Sequence, residues 1–184
     1  VVLLWKFCRK LGYTPHTSLL CALLYGLGTQ VWMYAQLDFS EPLLTFCLLS
    51  TAYWVYGITN VSSKQAIRQL LVAGVCFGFA VMVKIVAVIA LPLFLAYLWW
   101  ASAYSKQWRF SRVGLFGLMV CLTGFVPVGW YNAVRFGNPL ETGYDKEFNF
   151  YWKHVIDQFW TNLGSLEGSI FLYSPVILLA LLGV

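Results

Sequence analysis

Long apolar segments dominate this sequence and restrict its fold more than any other feature does. Hydrophobic residues make up 60% of the chain and charged residues 10%, against about 45–50% and about 25% in soluble globular proteins. Polar side chains are too few to cover so much apolar surface in water, so lipid is the expected solvent. The same composition excludes a disordered chain and a disulfide-rich secreted scaffold.

The apolar segments predict an all-α fold, a polytopic bundle of about six transmembrane helices with one long external loop. We treat residues 1–184 as a single transmembrane domain. Because both ends lie inside apolar runs, we interpret the chain as an internal fragment of a longer protein. The predicted spans are residues 18–35, 43–56, 70–83, 85–103, 113–131 and 170–184, preceded by a helical stub at residues 1–5.

The charged residues are divided between alternate gaps in the apolar pattern. Gaps 6–16, 57–69 and 104–112 contain eight Lys and Arg and no carboxylate, whereas the other gaps contain all seven Asp and Glu. Short basic loops stay in the cytoplasm, so the acidic gaps are expected outside, with the long external loop at about 132–169. The net charge of +5 is therefore a topology signal and predicts no nucleic-acid partner.

The first acidic gap is short and places Asp38 and Glu41 three residues apart, directly before Pro42. One interpretation is a helix start, in which Ser40 or Glu41 caps the helix and Pro42 occupies its first turn. The other is a site in which the two carboxylates bind a divalent metal ion or substrate hydroxyl groups. The sequence leaves both interpretations open.

Lys84 follows a predicted helix that is short for a membrane crossing. Residues 70–83 would span roughly 21 Å, about 9 Å less than a hydrocarbon core. This places the ammonium group below the outer surface, where it either snorkels to the headgroups or binds a lipid-linked phosphate. Gly74 and Gly78 in the same segment predict close packing against another helix.

The external loop contains the remaining candidates. Arg135 precedes a Gly137-Asn138-Pro139 turn and either clamps a phosphate or carboxylate or anchors its helix at the headgroups. Aromatic and aliphatic residues between 148 and 160 recur near helical spacing, which predicts an amphipathic helix on the membrane surface. His154 and Asp157 are three residues apart on it. They could carry protons or bind a metal ion, although an ordinary amphipathic surface is the simpler interpretation.

Several motifs resemble a known enzyme family when they are read in chain order. The family is the bacterial phospholipid-carrier-dependent glycosyltransferases, the superfamily of protein O-mannosyltransferases and lipid A aminoarabinose transferases, which has the multispanning GT-C fold. The matching motifs are the acidic turn from Tyr34 to Pro42, the segment from Gly78 through Lys84 to Pro92, the runs from Tyr131 to Pro139 and from Glu141 to Tyr144, and the run from Phe171 to Pro175.

This resemblance implies transfer of a sugar from a polyprenyl-phosphate donor to a protein, lipid or glycan acceptor, outside the bacterial inner membrane. It assigns Lys84 to the carrier phosphate and Asp38 or Glu41 to supporting a metal or acceptor site. Arg135 and Tyr144 would belong to the external substrate loop. The family's principal catalytic Asp would precede Val1, so the fragment alone is expected to be inactive. A divalent metal ion is the only cofactor that we expect, and membrane lipid surrounds the chain.

Two other classes of protein fit parts of the pattern. Secondary transporters also contain interrupted helices and buried lysines, but they place substrate-binding polar groups near the bilayer midplane. Here the charges gather at one edge of the apolar segments, which favours an interfacial enzyme. A non-catalytic membrane subunit leaves the long external loop unexplained.

Overall fold

A computed structural model describes residues 1–37, 40–102 and 109–141, together with residues 156, 157, 159–161 and 163. All regular secondary structure in these ranges is helical, which confirms the predicted all-α class. The chain divides into two compact units, Val1–Phe39 with Tyr144–Val184, and Ser40–Gly143. The assignment of residues 1–184 to one transmembrane domain stays a prediction.

The first unit begins with three helices, α1 (Val2–Lys10), α2 (Pro15–Leu27) and α3 (Val31–Gln36). Thr14 caps α2, because its hydroxyl accepts a hydrogen bond from the Thr17 backbone N–H at 3.2 Å and Pro15 occupies the first turn. The lack of a side chain at Gly26 lets Val1 approach, since a Cβ there would lie 2.5 Å from Val1 Cγ2.

Two sequence predictions in this unit are wrong. The stub at residues 1–5 is a helix that continues to Lys10, and the predicted span 18–35 is two helices separated at Gly28. Thr29 explains the break, because its hydroxyl donates to the Tyr25 carbonyl at 2.6 Å and accepts from the Val31 N–H at 3.3 Å. Such local side-chain bonds compete with a continuous helix.

Within residues 40–102 and 109–141, the second unit contains five further α-helices and three tighter or wider helical turns. Short 3₁₀ segments lie at Gly57–Asn60 and Ile85–Ala90, and a π-helical turn lies at Cys121–Phe125, between the last two α-helices. The α-helices are α4 (Glu41–Tyr56), α5 (Ser63–Val83), α6 (Leu91–Ala101), α7 (Arg109–Val120) and α8 (Val126–Phe136).

Helix α5 is the centre of this unit and packs against α4 and α7. Phe77 on α5 is fully buried and contacts Phe94 of α6 and Phe116 of α7 edge to face, with ring centroids 5.5 and 6.0 Å apart. Thr51 links α4 to α5, because its hydroxyl lies 2.9 Å from the Cys47 carbonyl and 3.4 Å from that of Ala73.

The contacts also fix the direction of each helix. Thr51 lies beside Ala73, and Glu41 lies beside Lys84, so α4 runs antiparallel to α5. Gly74 faces Met119 and Gly78 faces Thr123, so α5 runs parallel to the continuous α7–α8 helix. The starts of α5 and α7 therefore lie at one end of the unit, whereas Glu41 and Lys84 lie at the other.

The prediction of a short helix before Lys84 is wrong. Helix α5 has 21 residues and begins at Ser63, so it extends about 32 Å and is long enough to cross a membrane. Its extra turns contain Lys64, Gln65 and Arg68, which are polar but favour helix. The length of α5 therefore does not place Lys84 below the membrane surface.

Two described helices are long and apolar enough to cross a membrane, Ser63–Val83 and Phe110–Phe136, with mean hydropathies of 2.0 and 1.9. The apolar helix Ile85–Ala101 is shorter and starts as 3₁₀ helix, so the predicted span 85–103 is not one regular α-helix. Large apolar side chains face outward on this unit, including Leu93 and Trp130, as expected for a lipid-facing surface. The chain is a membrane protein, and the total of six spans stays a prediction.

Candidate functional site

Glu41 and Lys84 form an ion pair at one end of the Ser40–Gly143 unit. Lys84 Nζ donates a hydrogen bond to Glu41 Oε1, across 43 positions of sequence. The side chains are 38% and 37% exposed. An ion pair with this exposure contributes little to folding stability.

The pair forms because two antiparallel helices end at the same level. Glu41 is the first residue of α4, with Pro42 in the first turn as the sequence predicts. Ser40 stands at the N-cap position but makes no side-chain capping bond. Lys84 ends α5 with extended backbone, at φ −149° and ψ 122°. Each charge thus lies at the helix end whose dipole favours it.

The electrostatics of the pair keep Glu41 charged. The hydrogen bond from the Lys84 ammonium group lowers the pKa of the Glu41 carboxyl below its ordinary value. Because the folded-state pKa is lowered, the pair stabilises the fold above the ordinary Glu pKa of about 4.3. That contribution is lost as the pH falls through the lowered pKa. At neutral pH, Glu41 is a carboxylate.

The second carboxylate oxygen of Glu41 is shielded from solvent. Oε2 has no hydrogen-bond partner among the described residues, whereas Oε1 accepts from Lys84. A shielded carboxylate oxygen without a donor is unfavourable unless another group supplies one. One carboxylate oxygen of Glu41 is therefore bonded to Lys84, and the other is shielded without a described donor.

Arg135 lies at the same end of the unit but is held by its own helix. Its guanidinium donates to the Tyr131 hydroxyl and lies over the rings of Tyr131 and Phe136, 5.7 and 5.2 Å from their centroids. Measured from the contact between Gly78 and Thr123, Arg135 lies roughly 9 Å further along its helix than Lys84 does. The described contacts do not bring Arg135 to the Glu41–Lys84 pair.

The predicted turn after Arg135 is confirmed and folds back onto α8. Gly137 adopts φ 77° and ends the helix, and Asn138 Oδ1 accepts the Leu140 N–H at 3.0 Å. The buried Asn132 lies 3.4 Å from the Pro139 carbonyl and holds the turn. We did not predict this role for Asn132, although an Asn one turn before Gly-Asn-Pro is a usable signal.

Other predicted site residues are not brought together within the part of the chain that the structure describes. Asp38, Tyr144 and His154 lie outside the described residues. Asp157 is helical and exposed, as are its neighbours Ile156 and Phe159, while most of the predicted surface helix lies outside the described residues and stays a prediction. No group of three His, Cys, Asp or Glu in the described ranges could hold a metal ion, so the divalent metal stays a prediction.

A comparison with known protein families gives one match. Residues 1–131 match the family model described as dolichyl-phosphate-mannose-protein mannosyltransferase. This range includes Glu41 and Lys84 and ends before Arg135 and the external loop. No curated protein and no solved structure matches the chain.

Proposed function

We propose that this chain, which belongs to the family of dolichyl-phosphate-mannose-protein mannosyltransferases, transfers a sugar from a polyprenyl-phosphate carrier to an acceptor outside the membrane. Family membership supports a membrane glycosyltransferase of the GT-C kind with a lipid-linked sugar donor. The polyprenyl carrier, the protein, lipid or glycan acceptor and the multi-pass location in a bacterial inner membrane are part of the proposal.

The observation that carries the proposal is the Glu41–Lys84 pair at one helix end. In the transfer, an acceptor hydroxyl oxygen bonds to the anomeric carbon of the sugar. The bond from that carbon to the carrier phosphate oxygen breaks, and the phosphate leaves with the electron pair. A cation beside that phosphate stabilises the charge that develops on it. We assign this role to the Lys84 ammonium group.

Glu41 holds Lys84 in place until the phosphate of the sugar donor binds. In the structure its carboxylate occupies the position beside Lys84 that a phosphate would take. Carrier binding would replace the carboxylate at Lys84, and the freed carboxylate could then accept hydrogen bonds from a sugar or acceptor hydroxyl. Asp38, Arg135 and Tyr144 are proposed as further substrate-binding residues on the strength of the family resemblance. The acceptor hydroxyl proton passes to a general base, to which we assign no described residue.

The test of this function is transfer of a labelled sugar by the full-length protein in lipid vesicles. The donor would be a polyprenyl-phosphate-linked sugar, with inner-membrane extract as the source of acceptors. We expect label to appear on an acceptor and carrier phosphate to accumulate in equal amount. Saturable uptake of a soluble solute by the same vesicles, without any sugar transfer, would instead support the secondary transporter and contradict our proposal.

The proposed sidedness predicts opposite labelling at two positions. Single cysteines at Lys64 and Asn149, in a cysteine-free full-length background, should react with a membrane-impermeant thiol reagent from opposite sides of the membrane. Lys64 is exposed at the start of α5, where basic loops predict the cytoplasm. Labelling of both positions from the same side would contradict the topology.

A further inference from the structure

A groove lies between the first turns of α5 and α7, at the end of the Ser40–Gly143 unit opposite Glu41 and Lys84. Its volume is about 210 Å³, and residues of these two helices form its walls. The proposed function makes no use of this end of the unit. The positive-inside pattern places it at the cytoplasmic membrane surface.

One end of the groove is polar and cationic. Ser63 opens α5, and Ser111 and Arg112 belong to the first turn of α7. Arg112 is half-buried, and no described residue makes an ion pair or hydrogen bond with its guanidinium. A guanidinium presents five N–H donors in a fork that matches a phosphate group.

The groove becomes apolar one and two turns deeper. Its remaining walls are Ala66, Ile67 and Leu70 of α5 and Leu115 of α7. Leu70 is fully buried, while Ile67 is 42% exposed, so the groove is open along one side. Pockets that enclose a drug-sized ligand measure about 300–1,000 Å³. This smaller volume instead suits part of a long, amphipathic molecule.

The charge around the groove is of one sign. Lys64 and Arg68 are exposed one turn apart on the neighbouring face of α5. The sequence gaps 57–69 and 104–112 contain no carboxylate. Basic pockets between helices at the cytoplasmic surface are typical binding sites for anionic lipid headgroups. The surroundings therefore favour an anionic ligand over a zwitterionic one.

We propose that this groove binds an anionic phospholipid of the cytoplasmic leaflet. Its phosphate contacts Arg112 and the hydroxyls of Ser63 and Ser111, and one acyl chain lies along Ile67, Leu70 and Leu115. The order of the wall residues, polar at the helix starts and apolar deeper, matches the order of groups in such a lipid. This inference goes beyond the proposed sugar transfer and does not depend on it.

The experiment compares lipid binding by the full-length protein and matched variants in neutral detergent, followed by thermal unfolding. We expect phosphatidylglycerol to raise the unfolding temperature saturably and phosphatidylcholine to have little effect. Arg112→Gln should weaken phosphatidylglycerol binding by roughly tenfold or more, as loss of a charge-assisted hydrogen bond does. Arg68→Gln removes the same charge outside the groove and should weaken binding by about fivefold or less.

Ile67→Trp tests the apolar part of the groove. Because Ile67 is 42% exposed, the larger side chain can be accommodated without disturbing the core, and unfolding in phosphatidylcholine verifies the fold. We expect this variant to lose phosphatidylglycerol binding. Unchanged binding would overturn the proposal, as would equal losses in Arg112→Gln and Arg68→Gln.

Two further ligands distinguish the source of the phosphate. Glycerol phosphate has the headgroup chemistry without an acyl chain, and equal stabilisation by it would overturn the phospholipid assignment. Polyprenyl phosphate tests the sugar carrier itself. If it binds more tightly than phosphatidylglycerol and Arg112→Gln removes this binding, the groove is a carrier site and the proposal is wrong.

Discussion

Lys84→Ala is expected to reduce sugar transfer by the full-length protein by about 100-fold or more. Removing one group that stabilises developing charge in an active site has an effect of about 10²–10³ in other enzymes. Lys84 makes the ion pair with Glu41, and its ammonium group is the cation that we assign to the leaving phosphate. The measurement is the initial rate of transfer in vesicles that contain equal amounts of inserted protein.

Two control variants distinguish a role of Lys84 in the site from a general effect of charge removal on the protein. Lys64→Ala removes an exposed cation at the opposite end of α5 and should leave transfer near the wild-type rate. Lys84→Arg retains the charge and should retain part of the activity. Membrane insertion should be unchanged in all three variants, since a partly exposed ion pair contributes little stability. Wild-type turnover by Lys84→Ala would remove Lys84 from the site.

Gly78→Ala is expected to lower the stability of the Ser40–Gly143 unit by about 1–3 kcal/mol. A Cβ at this position would overlap the Thr123 side chain and lie 2.9 Å from the Thr123 backbone carbon. A backbone atom cannot rotate away, so α5 and the π-helical turn would have to separate. The expected fall in unfolding temperature is roughly 2–12 °C.

The matched control is Gly117→Ala on α7. No atom lies within 4 Å of a Cβ built at Gly117, so this change should be neutral or stabilise the helix by up to about 1 kcal/mol. Both variants make the same chemical change in a helix. The difference between their unfolding temperatures therefore measures the effect of the close contact at Gly78. Equal unfolding temperatures for the two variants would contradict the packing of α5 against Thr123 and Gly124.

The π-helical turn at Cys121–Phe125 was not predicted from the sequence, although the sequence contains its cause, Pro127. Pro127 has no N–H to donate to the carbonyl of Thr123, four residues earlier, so the regular bond pattern is interrupted. Gly124 lies in the same turn and packs against Gly78, since a Cβ added at Gly124 would lie 3.0 Å from the Gly78 Cα. The interrupted turn therefore lies where α5 and the α7–α8 helix pack closely together.

The predicted helix boundaries that were wrong share one physical origin. Hydropathy locates where a chain meets lipid, whereas a helix ends where its backbone hydrogen bonds end. Five of the seven residues from 63 to 69 are polar, yet all are helical, so α5 extends beyond its apolar segment. At Gly28 the reverse occurred, because the Thr29 hydroxyl interrupts an apolar run.

The sequence alone determined that this is an all-α membrane protein of glycosyltransferase type and drew attention to Glu41, Lys84 and Gly78. Composition and apolar periodicity indicate the all-α membrane class, and the glycosyltransferase type follows from the family resemblance, because all of these depend on residues near one another in the chain. Only the tertiary structure decided that Lys84 pairs with Glu41, across 43 positions of sequence, while Arg135 contacts its own helix. Such pairing depends on which helices pack together and in which direction, and that follows from contacts such as those of Thr51, Phe77 and Gly78 rather than from spacing along the chain.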